Sequence, residues 1–170
     1  MEGAIHHMRN RWDINQNEED SWGVLLIDAR NAFNEGNSKM MLYVARHEWP
    51  SGSRFLFNVC RHHSVLVLRG KRAKDTVFLH SKEGVTQGCP LSMVAYALLI
   101  LPLIKQLKKE MPVANSMWFA DDGSVANKFK GIASFFRRLC QLGPNYGYFP
   151  EESKSILVVK ESATMDATNF

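Results

Sequence analysis

SMWFADDGSVA, running from Ser116 to Ala126, is the stretch whose reading decides the fold. Two short runs of strand-forming residues, SMWFA and SVA, bracket Asp121, Asp122 and Gly123, and an Asp-Gly pair suits the two-residue turn of a β-hairpin. Two carboxylates therefore sit at a hairpin tip. Upstream, WGVLLI (Trp22 to Ile27) is an apolar run of central-strand type that stops at Asp28. An acidic side chain beside an apolar strand is costly to bury alone, so it must face solvent, meet a cation or shift its pKa. A divalent ion shared by Asp28 and the hairpin tip answers that requirement. Because adjacent strand residues point to opposite faces, one tip carboxylate is expected to aim beside Asp28. We assign that place to Asp121, with Asp122 as a weaker or outer ligand. Magnesium suits such a set, since it takes oxygen ligands and is commonly held by one or two carboxylates plus substrate phosphates.

Working outward, NEGN (Asn34 to Asn37) is turn-like, and Ser38 is placed to cap a helix through MMLYVARHEW that Pro50, Ser51 and Gly52 end. A short helix is expected over Arg54 to His62. SVLVLR and TVFLHS flank the basic loop GKRAKD, which predicts a second hairpin over residues 64–81 with a positive tip. The longest helix is expected from Leu91 to Glu110 and another from Phe129 to Leu142, with a last strand in SILVV (Ser155 to Val159). The order β, α, hairpin, α, hairpin, α, β predicts an α+β fold: a ferredoxin-like antiparallel sheet with helices packed on one face. Residues 1–20 and 161–170 are polar and aperiodic and are expected to be flexible, leaving one domain over 21–160.

The 170 residues, 45% hydrophobic and 22% charged, have the composition of an ordinary globular domain. Cys60, Cys89 and Cys140 stand far apart, which favours reduced thiols over a disulfide framework or zinc knuckle. No run reaches the roughly 18 apolar residues of a membrane helix, and no signal-peptide core follows the start, so an intracellular protein without a membrane partner is expected. The formal net charge of +4 and pI near 9.0 fit a polyanionic partner without demanding one.

One further loop changes the weight of these signals. EGVTQGCPLS (Glu83 to Ser92) is polar, leads into the long helix, and offers the Gln87 amide and the small Gly88 to a ligand. Asp28-Ala29-Arg30-Asn31-Ala32-Phe33-Asn34, Gln87-Gly88-Cys89-Pro90-Leu91-Ser92 and Phe119-Ala120-Asp121-Asp122, in this order, resemble motifs A, B and C of reverse transcriptases. Gly147 to Lys154 is similar to motif D of the retrotransposon enzymes. The resemblance spans Trp22 to Val159.

It implies the palm of a retrotransposon-type RNA-directed DNA polymerase, using dNTP and an RNA or DNA template with primer. Asp28, Asp121 and Asp122 would bind two Mg2+ ions, with Mn2+ as a substitute, about 3.5–4 Å apart. Arg30, Asn31 and Ala32 would line the triphosphate, and Phe33 would press against a ribose 2′-hydroxyl. Gln87 and Gly88 would touch template or nucleotide, and Lys154 would approach the departing phosphate. The family has a longer fingers region before motif A than the 27 residues found here, and a thumb after motif D. Both are expected from a longer parent protein, and the piece alone is expected to extend primers poorly. The alternative is a degenerate relative that binds nucleic acid without turnover.

Overall fold

The computed structural model describes residues 2–15, 21–86 and 89–168, and the chain forms two compact units, residues 1–30 with 100–170 and residues 31–99. The first unit is built on β1 (Trp22–Ile27). It is flanked in an antiparallel sheet by β5 (Asp122–Lys128) and β6 (Ile156–Val159), with β4 (Asn115–Phe119) outside β5, giving the order β4-β5-β1-β6. Five or six apolar residues in a row suit β1 because both of its neighbours are strands and most of its length is buried.

Cross-strand partners share a face, which sorts the side chains. Leu25 opposite Val125 and Ile27 opposite Gly123 lie on one side, buried, with α6 (Phe129–Leu142) packed on β1 and β5. Its buried Phe129, Ile132, Phe135 and Leu139 recur at helical spacing. Here the expected antiparallel sheet with packed helices is what the chain forms. Glu110, at the end of α5 (Ser92–Glu110), accepts from the Arg138 guanidinium of α6 at 2.6 and 2.9 Å, and these bonds lower its carboxyl to about 2.

The opposite face carries Trp22, Val24 and Leu26, paired with Lys128, Ala126 and Ser124. Here the structure departs from the expectation for the N-terminal segment. Glu2–Asn15 is a helix, α1, whose Met8 and Trp12 pack on Trp22, Val24 and Ala126, with the two indoles 5.8 Å apart. Two apolar residues four apart are too sparse to register as periodicity, and tertiary packing holds the helix where propensity would not. The Lys160 ammonium donates to the Asn15 carbonyl at the end of α1 (2.6 Å). The C-terminal segment also takes up structure, with Ala163 buried, a short α7 (Thr164–Thr168), and a Ser21 hydroxyl bond to Asp166 (2.7 Å). Residues 16–20, 169 and 170 lie outside the described residues.

In the second unit α2 (Ala32–Glu35), α3 (Ser38–Glu48) and α4 (Pro50–Cys60) precede the hairpin of β2 (Ser64–Leu68) and β3 (Val77–Ser81). The cap of α3 is Asn37, whose side chain accepts the Met40 N–H (3.0 Å), so the expected cap Ser38 is the first helical residue. Pro50 opens α4, where the missing N–H costs nothing, so the residues expected to end one helix begin the next.

Replacing Trp12 by Ala is expected to cost about 1–3 kcal/mol, below the 3–5 of a fully buried indole, measured as a lower urea midpoint. No change would mean that α1 does not contribute to the first unit.

Candidate active site

The decisive register is that of β1 against β5. Ile27 pairs with Gly123, and one further step sets Asp28 across from Asp122 at the mouth of the sheet. Both residues line a cleft of about 330 Å³ with Leu26, Met117, Phe119 and Lys154. The cleft occupies the end of the sheet face that α1 does not cover, beside the exposed Leu26.

The hairpin turn lies two residues earlier than an Asp-Gly turn would put it. Phe119 pairs with Asp122, so Ala120 and Asp121 form the turn, and Ala120 adopts a left-handed φ of 55°. Gly123 is instead a buried sheet residue under the Trp118 ring, where an added Cβ would stand 3.1 Å from the indole. Asp122 therefore takes the cleft-facing place assigned to Asp121. Asp121 lies beside it in the turn, its carbonyl accepting the Tyr148 hydroxyl (3.0 Å).

A second segment fixes Asp28. Glu151 donates its N–H to the Asp28 carbonyl (2.8 Å), Arg30 donates its own to the Phe149 carbonyl (2.8 Å), and Ala29 bridges Pro150. Gly147, at φ 73°, makes the turn into this segment, and Tyr148 is wholly buried with its ring edge-on to Trp118 at 5.6 Å. Residues 147–151 thus hold the chain at Asp28 and the turn at Asp121 together. Tyr148 carries no chemistry of its own, and its signal in the sequence is an aromatic right after a helix-breaking glycine.

Electrostatics follow from this crowding. Burial, then the Asp121 carboxylate, then that of Asp28 push the Asp122 carboxyl above the ordinary aspartate range. Lys154, exposed on the cleft, forms no ion pair among the described residues. No group of three or more His, Cys, Asp or Glu side chains among those residues is arranged to hold a metal ion. Asp28, Asp121 and Asp122 supply oxygen donors, the type that magnesium and manganese take, near one end of the sheet.

The remaining expected site residues fall elsewhere. The Arg30 guanidinium lies over the Phe149 ring, 5.1 Å from its centroid. In the second unit Asn31, at φ 45°, opens α2, Ala32 is buried, and Phe33 stacks on Tyr96 at 4.7 Å. Gln87 and Gly88 lie outside the described residues.

No protein-family model and no curated protein matches the sequence. Among solved structures, the chain is similar to the C-terminally truncated apo telomerase of Candida tropicalis. The TM-score is 0.71 at 14% identity, over 94% of this chain and 35% of that one. The longer apo telomerase of that species gives 0.71 at 13%, over 95% and 32%. The Candida albicans telomerase in complex with a fragment of telomeric RNA gives 0.59 at 12%, over 95% and 31%. The chain shares a fold with the matched part of these telomerases. It spans about a third of the length of the telomerases it matches, and identities this low speak to fold alone.

In metal-free buffer Asp122→Asn is expected to raise Tm at pH 7 by about 1–3 °C, a small gain because solvent screens the site. The sign follows from the raised carboxyl: its ionisation opposes folding as pH climbs from the ordinary aspartate value of 3.8 through the folded one. The gain should therefore vanish below about pH 4. A variant that is less stable than the parent at pH 7 would refute the crowding. Ala120→Gly, which relieves a left-handed alanine, is expected to add up to about 1 kcal/mol by chemical denaturation.

Proposed function

We propose that the chain is the palm of an RNA-directed DNA polymerase of retrotransposon type, transferring nucleotides from dNTP to a primer 3′-hydroxyl. The facing of Asp28 and Asp122 across two central strands, with Asp121 close enough to raise the Asp122 carboxyl, carries this assignment. The retrotransposon type rests on the spelling of the motifs around Asp28, Asp121 and Lys154.

Asp28 and Asp122 would hold Mg2+, with Asp121 assisting. When bound, divalent ions supply Lewis-acid activation of the attacking hydroxyl and neutralise charge on the leaving pyrophosphate. The carboxylates orient that charge, and residues 147–151 keep them in place, so the chain contributes positioning more than covalent chemistry. Lys154, on the same cleft, offers an ammonium or a proton to the departing phosphate. Phe33 is assigned the exclusion of ribose by its place five residues after Asp28 in the motif. Arg30 and Asn31 are assigned to the triphosphate on the same ground, and fingers and thumb to a longer parent.

Primer extension on a homopolymer RNA template, with magnesium or manganese and dNTP, tests the assignment. Weak extension is expected, and Asp28→Asn or Asp122→Asn should lower it by at least about 100-fold. Magnesium should also raise the Tm of the parent and leave that of Asp28→Asn unmoved. Template binding without metal response or extension would make the chain a non-catalytic relative.

A further inference from the structure

The carboxylate cleft and α1 stand on one face of the same sheet. Trp22 and Val24, paired with Lys128 and Ala126, lie against α1, and Leu26, paired with Ser124, leads from them to the cleft. α1 packs on β4, β5 and β1, and Lys160, just past β6, holds the carbonyl of its last residue, so the helix crosses the sheet instead of following one strand. Four residues separate Val24 from Asp28 and four separate Asp122 from Ala126, about 13 Å along each strand. Half the width of a helix takes up about 5 Å of that, which leaves an open shelf of about 8 Å before the carboxylates. Exposed Leu26 and Phe119 lie on it, with exposed Ile156 paired to Leu26.

A primer 3′-hydroxyl delivered to Asp28 and Asp122 arrives at the end of a base-paired helix. The grooves of a B-form duplex, about 12 and 6 Å wide, already exceed the shelf between them. Docked α1 therefore stands where a duplex seated at the cleft would lie.

The docking contact is also lightly made. Half-buried His7, Met8, Arg11, Trp12 and Asn15 form the seam of α1, and two of these five are apolar. A helix fixed in a core carries apolar residues along the whole stripe, as α6 does with Phe129, Ile132, Phe135 and Leu139. Fourteen residues of this kind make at best a marginal helix alone in water, so α1 keeps its form by staying docked.

We propose that α1 is an autoinhibitory strap: held by Met8 and Trp12, it keeps a primer–template duplex off the sheet face, and duplex binding requires its release. The inference rests on reading Asp28 and Asp122 as the destination of a primer terminus.

Hydrogen–deuterium exchange of the full chain, with and without an RNA template–DNA primer hybrid in magnesium and no dNTP, tests it. The hybrid is expected to speed exchange of residues 2–15 at least tenfold and to leave α6 as it was. By fluorescence anisotropy Trp12→Ala should bind the hybrid at least threefold more tightly than the parent, because apparent affinity scales with the fraction of molecules that are open. Trp12→Phe, which keeps an aromatic anchor, should fall between the two, and Asn10→Ala, on the exposed side of α1, should match the parent. Parent-like exchange in α6 shows that a variant is folded, and if Trp12→Ala is not, the exchange of the parent decides. Unchanged or slower exchange of residues 2–15 under saturating hybrid would overturn the proposal. So would equal or weaker binding by folded Trp12→Ala, or a hybrid that binds neither protein. Release of α1 without primer extension would sink the catalytic reading alone, whereas extension with α1 still protected would sink the strap alone.

Discussion

The antiparallel pairing of β1 with β5 is the constraint on which the candidate active site depends. It joins residues about a hundred positions apart and ends at Ile27 and Gly123, one step short of Asp28 and Asp122, which line one cleft. Paired positions in a ladder stand about 5 Å apart, so neither carboxylate can ignore the other. A slip of one residue would turn Asp122 to the helix-covered side and bring Gly123 to the cleft. Burial of Leu25, Ile27 and Val125 on that covered side forbids the slip, so hydrophobic packing sets the electrostatics of the opposite face.

Register alone would leave both acidic segments at frayed strand ends. The segment from Gly147 to Glu151 prevents this by binding backbone to backbone at Asp28 and Arg30, and by reaching through the Tyr148 hydroxyl to the carbonyl of Asp121. These bonds go to main-chain atoms and leave the carboxylate oxygens available for a ligand. Tyr148 is wholly buried, so its ring fixes the hydroxyl while Trp118, lying edge-on to it, also covers Gly123. The turn and the clamp thereby share one aromatic contact.

Much of this was legible in the sequence. Apolar runs marked β1 and α5, and the two hairpins fell where strand formers flanked polar loops. The placing of the turn was not legible, because Asp122-Gly123 satisfies local turn chemistry and the competing demand is tertiary. Gly123 is needed under Trp118 and opposite Ile27, so the turn moves to Ala120 and Asp121 and alanine takes the left-handed conformation. The same limit hid α1, whose two anchoring side chains make sense only against Trp22 and Val24. Pro50 can stop one helix or start another, a choice that the residue type alone leaves open, and here it starts α4.

Exposure and charge together explain how the folded chain tolerates its acidic cleft. Asp122 is exposed while Asp28 and Asp121 are half-buried, so water absorbs part of a repulsion that a sealed site would feel in full. What remains appears as a raised Asp122 carboxyl, and its causes are burial and the other two aspartates. Protons and divalent ions then compete for the same oxygens. A cation that binds must displace any proton held there, so affinity for metal and protonation of the cleft are opposite readings of one electrostatic strain. A lysine packed among the aspartates would have removed that repulsion. Lys154 instead stands exposed on the cleft without an ion pair among the described residues, so it does not neutralise the aspartates.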